Sequence, residues 1–175
     1  MFQLESEMRP AVEAWLQSRV QYIQHEAWCL TPICDLLGFS FRAEAVQQRI
    51  QMRQRTPLPM HMWGETRPWM PLYEKVVAVE MKLSKMAKVL FQAQMHYREV
   101  TESWVAMPEP FASRIVAKCR EPGIGVLAVG ETCDVLLPAR VHDPDSPSWN
   151  HHRIAETFWR KHGKAFKGER DEQAD

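Results

Sequence analysis

The chain has 175 residues, 45% of them hydrophobic and 25% charged. That is the balance of one folded domain with a core of its own, and it excludes a mostly disordered, collagen-like or mucin-like chain. Lys+Arg and Asp+Glu both number 22, so the net charge of zero excludes a histone-like polycation but leaves room for a local basic patch.

Residues 6–18 read as a helix. Met8, Val12, Trp15 and Leu16 share one face at helical spacing, Ser6 can cap it, and Pro10 falls early enough to be tolerated. VQYIQHEAW (20–28) reads as a first strand and ICDLLGFSF (33–41) as a second, with a break at Thr31-Pro32. Residues 42–55 predict a basic helix. Residues 56–74 hold Pro57, Pro59, Pro68 and Pro71 with Trp63 and Trp69, so no regular element should run through them. KVVAVEMK (75–82) is a short β-branched apolar run, the mark of a buried strand. Residues 84–100 predict a helix capped by Ser84 that turns Met86, Leu90, Phe91, Ala93 and Tyr97 to the core. A strand over 103–108 and a helix over 111–118 come next. Strands over 123–130 and 132–140 then meet at a tight turn, Gly130-Glu131. A loop over 141–149 leads to a terminal helix over 150–162, with Ile154, Phe158 and Trp159 inward, and a charged tail over 163–175. The expected fold is α/β with a mixed sheet flanked by helices, one domain over 1–175 with an insertion at 42–74.

Cys29, Cys34, Cys119 and Cys133 are too few for a disulfide scaffold, and no second cysteine pair or nearby histidine completes a tetrahedral zinc set. Buried thiols are the expectation. The early charges Glu5, Glu7, Arg9 and Glu13 do not suit a signal peptide, and no apolar run approaches the ~20 residues that span a bilayer. A cytoplasmic protein without a membrane partner is expected.

Charged residues set in apolar strands point to the chemistry. Glu80 and Lys82 end the VVAVEMK strand, and alternation turns both to one side. Burying either charge alone costs several kcal/mol, so each other, a metal ion or open water must reward them. Asp35 stands alone between apolar neighbours in ICDLLGF. Two carboxylates supply hard oxygen ligands for Mg²⁺, and a nearby lysine supplies a point charge, which suits phosphodiester hydrolysis. The alternative is an ion pair at a strand end with Asp35 starting a turn.

With these residues the chain resembles the PD-(D/E)XK nuclease-like phosphodiesterase superfamily. ICDLLGF matches the acidic strand, VVAVEMKLS the Glu-x-Lys strand, FQAQMHY the next helix, SWVAMP the next strand and GIGVLAV a late strand. The resemblance implies a restriction endonuclease-like core and a Mg²⁺-dependent phosphodiesterase or endonuclease acting on DNA, with Mn²⁺ able to substitute. It assigns Asp35 and Glu80 to the metal, Lys82 to the attacking water, Gln92 to a phosphate or the metal-bound water, and Glu7, with Glu5 behind it, to an extra metal ligand. Gln92 is equally well a core-surface residue, Glu7 a solvated helix residue, and Glu26 a weaker candidate. Two departures stand out: no proline precedes Asp35, and 44 residues separate Asp35 from Glu80.

Those intervening residues hold Arg42, Arg49, Arg53, Arg55 and Arg67 against Glu44, Glu65 and Glu74. Arg42, Arg49, Arg53 and Arg55 with Trp63 and Trp69 suit phosphate contact plus base stacking, giving a nucleic-acid-binding expectation. The alternative is a solvated helix with tryptophans packed on the domain. The competing function is a non-catalytic nuclease-fold protein that binds nucleic acid or a partner protein through 42–74, alone, as a homodimer or in a larger nucleoprotein complex. Arg160, Lys161, Lys164, Lys167 and Arg170 form a second basic run. His151, His152 and His162 read as surface residues, and His96, one turn past Gln92, as a possible proton or phosphate partner.

Overall fold

The computed structural model describes residues 2–28, 30, 32–55, 72–143 and 149–162, with side chains for all of these but 52–55 and 149–152. The elements run α1 (Glu5–Gln17), β1 (Tyr22–Ala27), β2 (Cys34–Phe41), α2 (Ala43–Arg55), β3 (Tyr73–Met81), α3 (Met86–Tyr97), β4 (Glu102–Pro108), α4 (Glu109–Arg120), β5 (Gly125–Val129), β6 (Cys133–Leu137) and α5 (Trp149–His162). Six strands form one sheet in chain order. β1, β2 and β3 are antiparallel, β4 and β5 run parallel to β3, and β6 turns back on β5. Parallel neighbours need a crossover, and α3 and α4 provide it. The fold is thus mixed α/β with flanking helices, in the order the sequence predicts.

Alternation along β3 explains its unbroken apolar run. Val77, Val79 and Met81 pack with Met8, Val12 and Leu16 of α1. Val76 and Ala78 join the cluster made with α2 and α5, whose Phe158 stacks on Phe39 at 4.5 Å. Farther along the sheet, Val105, Met107, Val126 and Ala128 meet Val89 and Ala93 of α3 and Ala112 and Ile115 of α4. With both faces covered, the buried run is apolar at nearly every position, and Glu80 is the exception in β3. Burying the three α1 side chains contributes about 5–9 kcal/mol gross, before the entropy of ordering the helix.

One glycine sets the seat of α1. A Cβ at Gly38 would lie 2.8 Å from Leu16 Cδ1 and 2.9 Å from Val20 Cγ2. Only glycine lets α1 settle this close to β2, which in turn fixes where the first turn of α1 falls.

Four expectations need correction. Ser6 does not cap α1: the N-cap is Leu4, and Glu7 Oε2 accepts the Gln3 and Leu4 backbone N–H groups at 2.6 and 3.3 Å. Ser84 does not cap α3, whose N-cap is Lys85 with no side-chain bond. Phe91 is 60% exposed, and Val89, Ala93 and His96 form the buried face instead. The 100° step puts Phe91 about 200° from Val89, on the side of the helix away from that stripe. Of the proline-rich stretch over 56–74, residues 56–71 lie outside the described residues, as does the tail over 163–175. The last two residues of that stretch, Tyr73 and Glu74, are not irregular, since they already form the start of β3. No described helix is long and apolar enough to cross a membrane.

Candidate functional site

The start of β2 and the end of β3 lie side by side, because antiparallel pairing sets Leu36 opposite Val79. The chain therefore brings Asp35 next to the Glu80–Lys82 segment across the intervening insertion. Asp35 Oδ2 accepts the Met81 backbone N–H at 2.7 Å and the Lys82 ammonium at 3.2 Å. Lys82 Nζ also donates to Met81 O at 2.6 Å and to Glu5 Oε2, from the first turn of α1, at 3.1 Å. The Lys82 backbone is pinned by its N–H to Ala106 O, 3.1 Å away. Burial alone would lower the Lys82 pKa, but the Asp35 charge and the Glu5 hydrogen bond outweigh it and hold the ammonium above its ordinary value. The lysine side chain is 8% exposed, Asp35 27% and Glu5 43%, so the carboxylates form the open side of the cluster.

Glu80 engages a different helix. Its Oε1 lies 2.7 Å from His96 Nε2 on α3, and both side chains are fully buried. Burial pushes the Glu80 carboxyl up; the His96 hydrogen bond opposes this and the Asp35 charge adds to it. Glu80 Oε2 and His96 Nδ1 are buried and have no hydrogen-bond partner among the described residues. Cys34 completes the cluster: one ligand atom each from Cys34, Glu80 and His96 lies within 4.8 Å of the others. The Cys34 Sγ donates to Leu36 O at 3.0 Å, and burial, followed by the Glu80 charge, pushes its thiol well up.

The site thus differs in detail from the expected one. Asp35, Glu80 and Lys82 do converge at one end of the sheet. Glu80 and Lys82 do not turn to one partner, however, because Lys82 follows the last β3 residue and its long side chain swings to α1. Glu7 is not part of the cluster. It caps α1 from a fully exposed position, and those backbone bonds lower its pKa; Glu5, two residues earlier, is the α1 carboxylate that reaches the site. Gln92 lies one turn before His96, half-buried, with Oε1 buried and unpartnered among the described residues. Glu26 is exposed at the end of β1, with φ 47°.

Arg49 needs a correction as a nucleic-acid contact. Its guanidinium forks onto Glu156 of α5 at 2.5 and 2.8 Å and lies 4.9 Å from the Trp159 ring. It clamps two helices together rather than facing a ligand. Arg42 is half-buried beside the start of α2. Arg53 and Arg55 lie on α2 with side chains outside those described, and Trp63 and Trp69 lie outside the described residues. His162 stacks on Tyr22 at 4.4 Å.

No protein-family profile matches the chain, and no curated protein does. Among solved structures it is similar to the SPO1766 protein of unknown function from Silicibacter pomeroyi. The TM-score is 0.55 at 10% identity, over 99% of this chain and 96% of that one. At that identity the likeness speaks for the fold alone.

Nothing local in the sequence marks Cys34 or His96 as partners of Glu80. The usable signal was the second-order one, that a carboxylate buried in an apolar strand must find a compensating group.

Proposed function

We propose that this protein is a divalent-metal-dependent phosphodiesterase acting on DNA, built on a restriction endonuclease-like core. One observation carries the reading: Lys82 stands against Asp35 and Glu5 at the end of β3, next to a Glu80 whose Oε2 has no partner among the described residues. With α2 set aside as part of the insertion, the order α1-β1-β2-β3-α3-β4, with the acid on the second strand and Glu-x-Lys closing the third, supports the finer reading of the fold.

The donors suit a hard cation in type. Asp35 Oδ2 is committed to Met81 and Lys82, so Asp35 Oδ1 and Glu80 Oε2 are the oxygens that would hold Mg²⁺ or Mn²⁺. Three carboxylates against one ammonium also leave an excess of negative charge that a divalent cation balances. Such an ion supplies Lewis-acid polarisation of the phosphate and a hydroxide at neutral pH. Lys82, kept charged by its two carboxylates, steadies a water or a phosphate oxygen where negative charge develops. Glu5 restrains the lysine and pre-orients its ammonium.

The test is incubation of the purified chain with linear, nicked, branched and single-stranded DNAs in Mg²⁺, Mn²⁺ or EDTA, beside Glu80→Ala and Lys82→Ala with circular dichroism as the folding control. Each variant should lose on the order of 100–1000-fold in rate. Cleavage unchanged in both variants excludes this site. The burial of Glu80 against His96 favours the second reading, a non-catalytic protein of this fold. Inactivity of the wild type on every substrate and metal would select it.

A further inference from the structure

We infer that Cys34, Glu80 and His96 form a buried site for a borderline-soft divalent cation of the zinc or cobalt type. This goes beyond the phosphodiesterase reading and stands without it, since a carboxylate can bridge two ions and the cluster uses none of Asp35, Lys82 or Glu5.

The cluster draws on three elements. Cys34 opens β2, Glu80 nears the end of β3 and His96 lies in the last turn of α3. All three side chains are fully buried. Thiolate, carboxylate and imidazole are the zinc ligands found in proteins, and three protein ligands leave one position of a tetrahedron for the second carboxylate oxygen or a small exogenous ligand. Ligand atoms around such an ion lie roughly 3.3–3.6 Å apart, from metal–ligand distances near 2.0–2.3 Å. The three atoms here lie within 4.8 Å of one another, and the Glu80–His96 contact of 2.7 Å has only to open slightly.

Unmet bonding capacity points the same way. Glu80 Oε2 is fully buried without a partner among the described residues, and such a group costs about 1–3 kcal/mol. A cation held at the carboxylate removes that cost. The charge also balances: Cys34 gives up its thiol proton to solvent, and the thiolate and Glu80 carboxylate together neutralise a divalent ion beside a neutral imidazole. A net-neutral cluster suits a dry interior far better than a lone carboxylate. Mg²⁺ is a poor occupant, because it prefers six oxygens and avoids thiolate.

The experiment uses the full chain, stripped with chelator under reducing conditions. Co²⁺ is added both to the folded protein and during refolding from guanidinium, since the cluster is closed to solvent. The expected result is one equivalent of Co²⁺ with a near-ultraviolet thiolate-to-cobalt charge-transfer band, displaced by Zn²⁺. A Cys29→Ser, Cys119→Ser, Cys133→Ser variant, which keeps only Cys34, should retain the band. Cys34→Ser should lose it, and His96→Asn should weaken binding on the order of tenfold or more. Failure of the wild type to take up stoichiometric Co²⁺ by either route overturns the inference, as does a band that survives Cys34→Ser. Because metal absorption is read and not cleavage, an inactive enzyme with the band intact leaves this site in place.

Discussion

Replacing Lys82 by methionine keeps the length of the side chain and removes its charge. Three acceptors lose a donor at once: Met81 O, Glu5 Oε2 and Asp35 Oδ2. Breaking a fully buried ion pair costs about 3–5 kcal/mol, and an exposed pair is worth about 0–1 kcal/mol. The lysine is 8% exposed but its partners are 27% and 43% exposed, so the loss falls between, at about 2 kcal/mol. For a chain of this length that lowers Tm by roughly 4–8 °C. The pH dependence has a definite sign. The folded-state Lys82 pKa is raised, so its contribution is fully present below the unfolded lysine value. It is lost only as pH rises through the folded one. Wild type and Lys82→Met should therefore differ at neutral pH and converge in strong alkali. The assay is urea unfolding at pH 7 of wild type, Lys82→Met, Asp35→Asn and the double variant. Asp35→Asn should lose much of its own effect once Lys82 is gone, leaving a coupling of about 1 kcal/mol or more. Equal stability of wild type and Lys82→Met, or additive effects, would refute the ion-pair reasoning.

Glu80→Gln should stabilise the metal-free protein at neutral pH. The folded-state carboxyl pKa is raised, chiefly by burial, so ionised Glu80 costs stability that returns as pH falls through that value; the gain over wild type should shrink towards pH 4 in thermal melts. Gly38→Ala should destabilise by about 1–3 kcal/mol, because the new methyl meets Leu16 and Val20 inside contact distance; denaturant unfolding measures it, and a neutral result would mean α1 can shift freely. Arg49→Ala breaks the fork onto Glu156 and uncovers Trp159. It should cost about 1–2 kcal/mol while leaving the salt dependence of any DNA binding unchanged; a flatter salt slope would return Arg49 to the binding surface.

The sequence by itself determined the elements and their order, because apolar periodicity is local. Val77, Val79 and Met81 alternate with Val76 and Ala78 within six residues, and no longer-range knowledge is needed to see a doubly covered strand. It also singled out Asp35, Glu80 and Lys82, since a charge set in an apolar run is visible without a structure. Other choices rested on differences of one or two residues or on angles around a helix. Glu7 and Glu5 are equivalent in the sequence. Only the seating of α1 on Gly38 decides that Glu5 meets Lys82 while Glu7 turns back to cap its own helix. Arg49 reads as a free cation until α5, more than a hundred residues later, brings Glu156 and Trp159 to it. Cys34 and His96 lie 62 positions apart, and neither carries a local motif. Antiparallel pairing of β2 with β3, and packing of α3 over the sheet, bring both to Glu80. Pairing register and helix packing are long-range properties, so the partners of a buried charge are chosen by tertiary structure even when the charge itself is plain in the sequence.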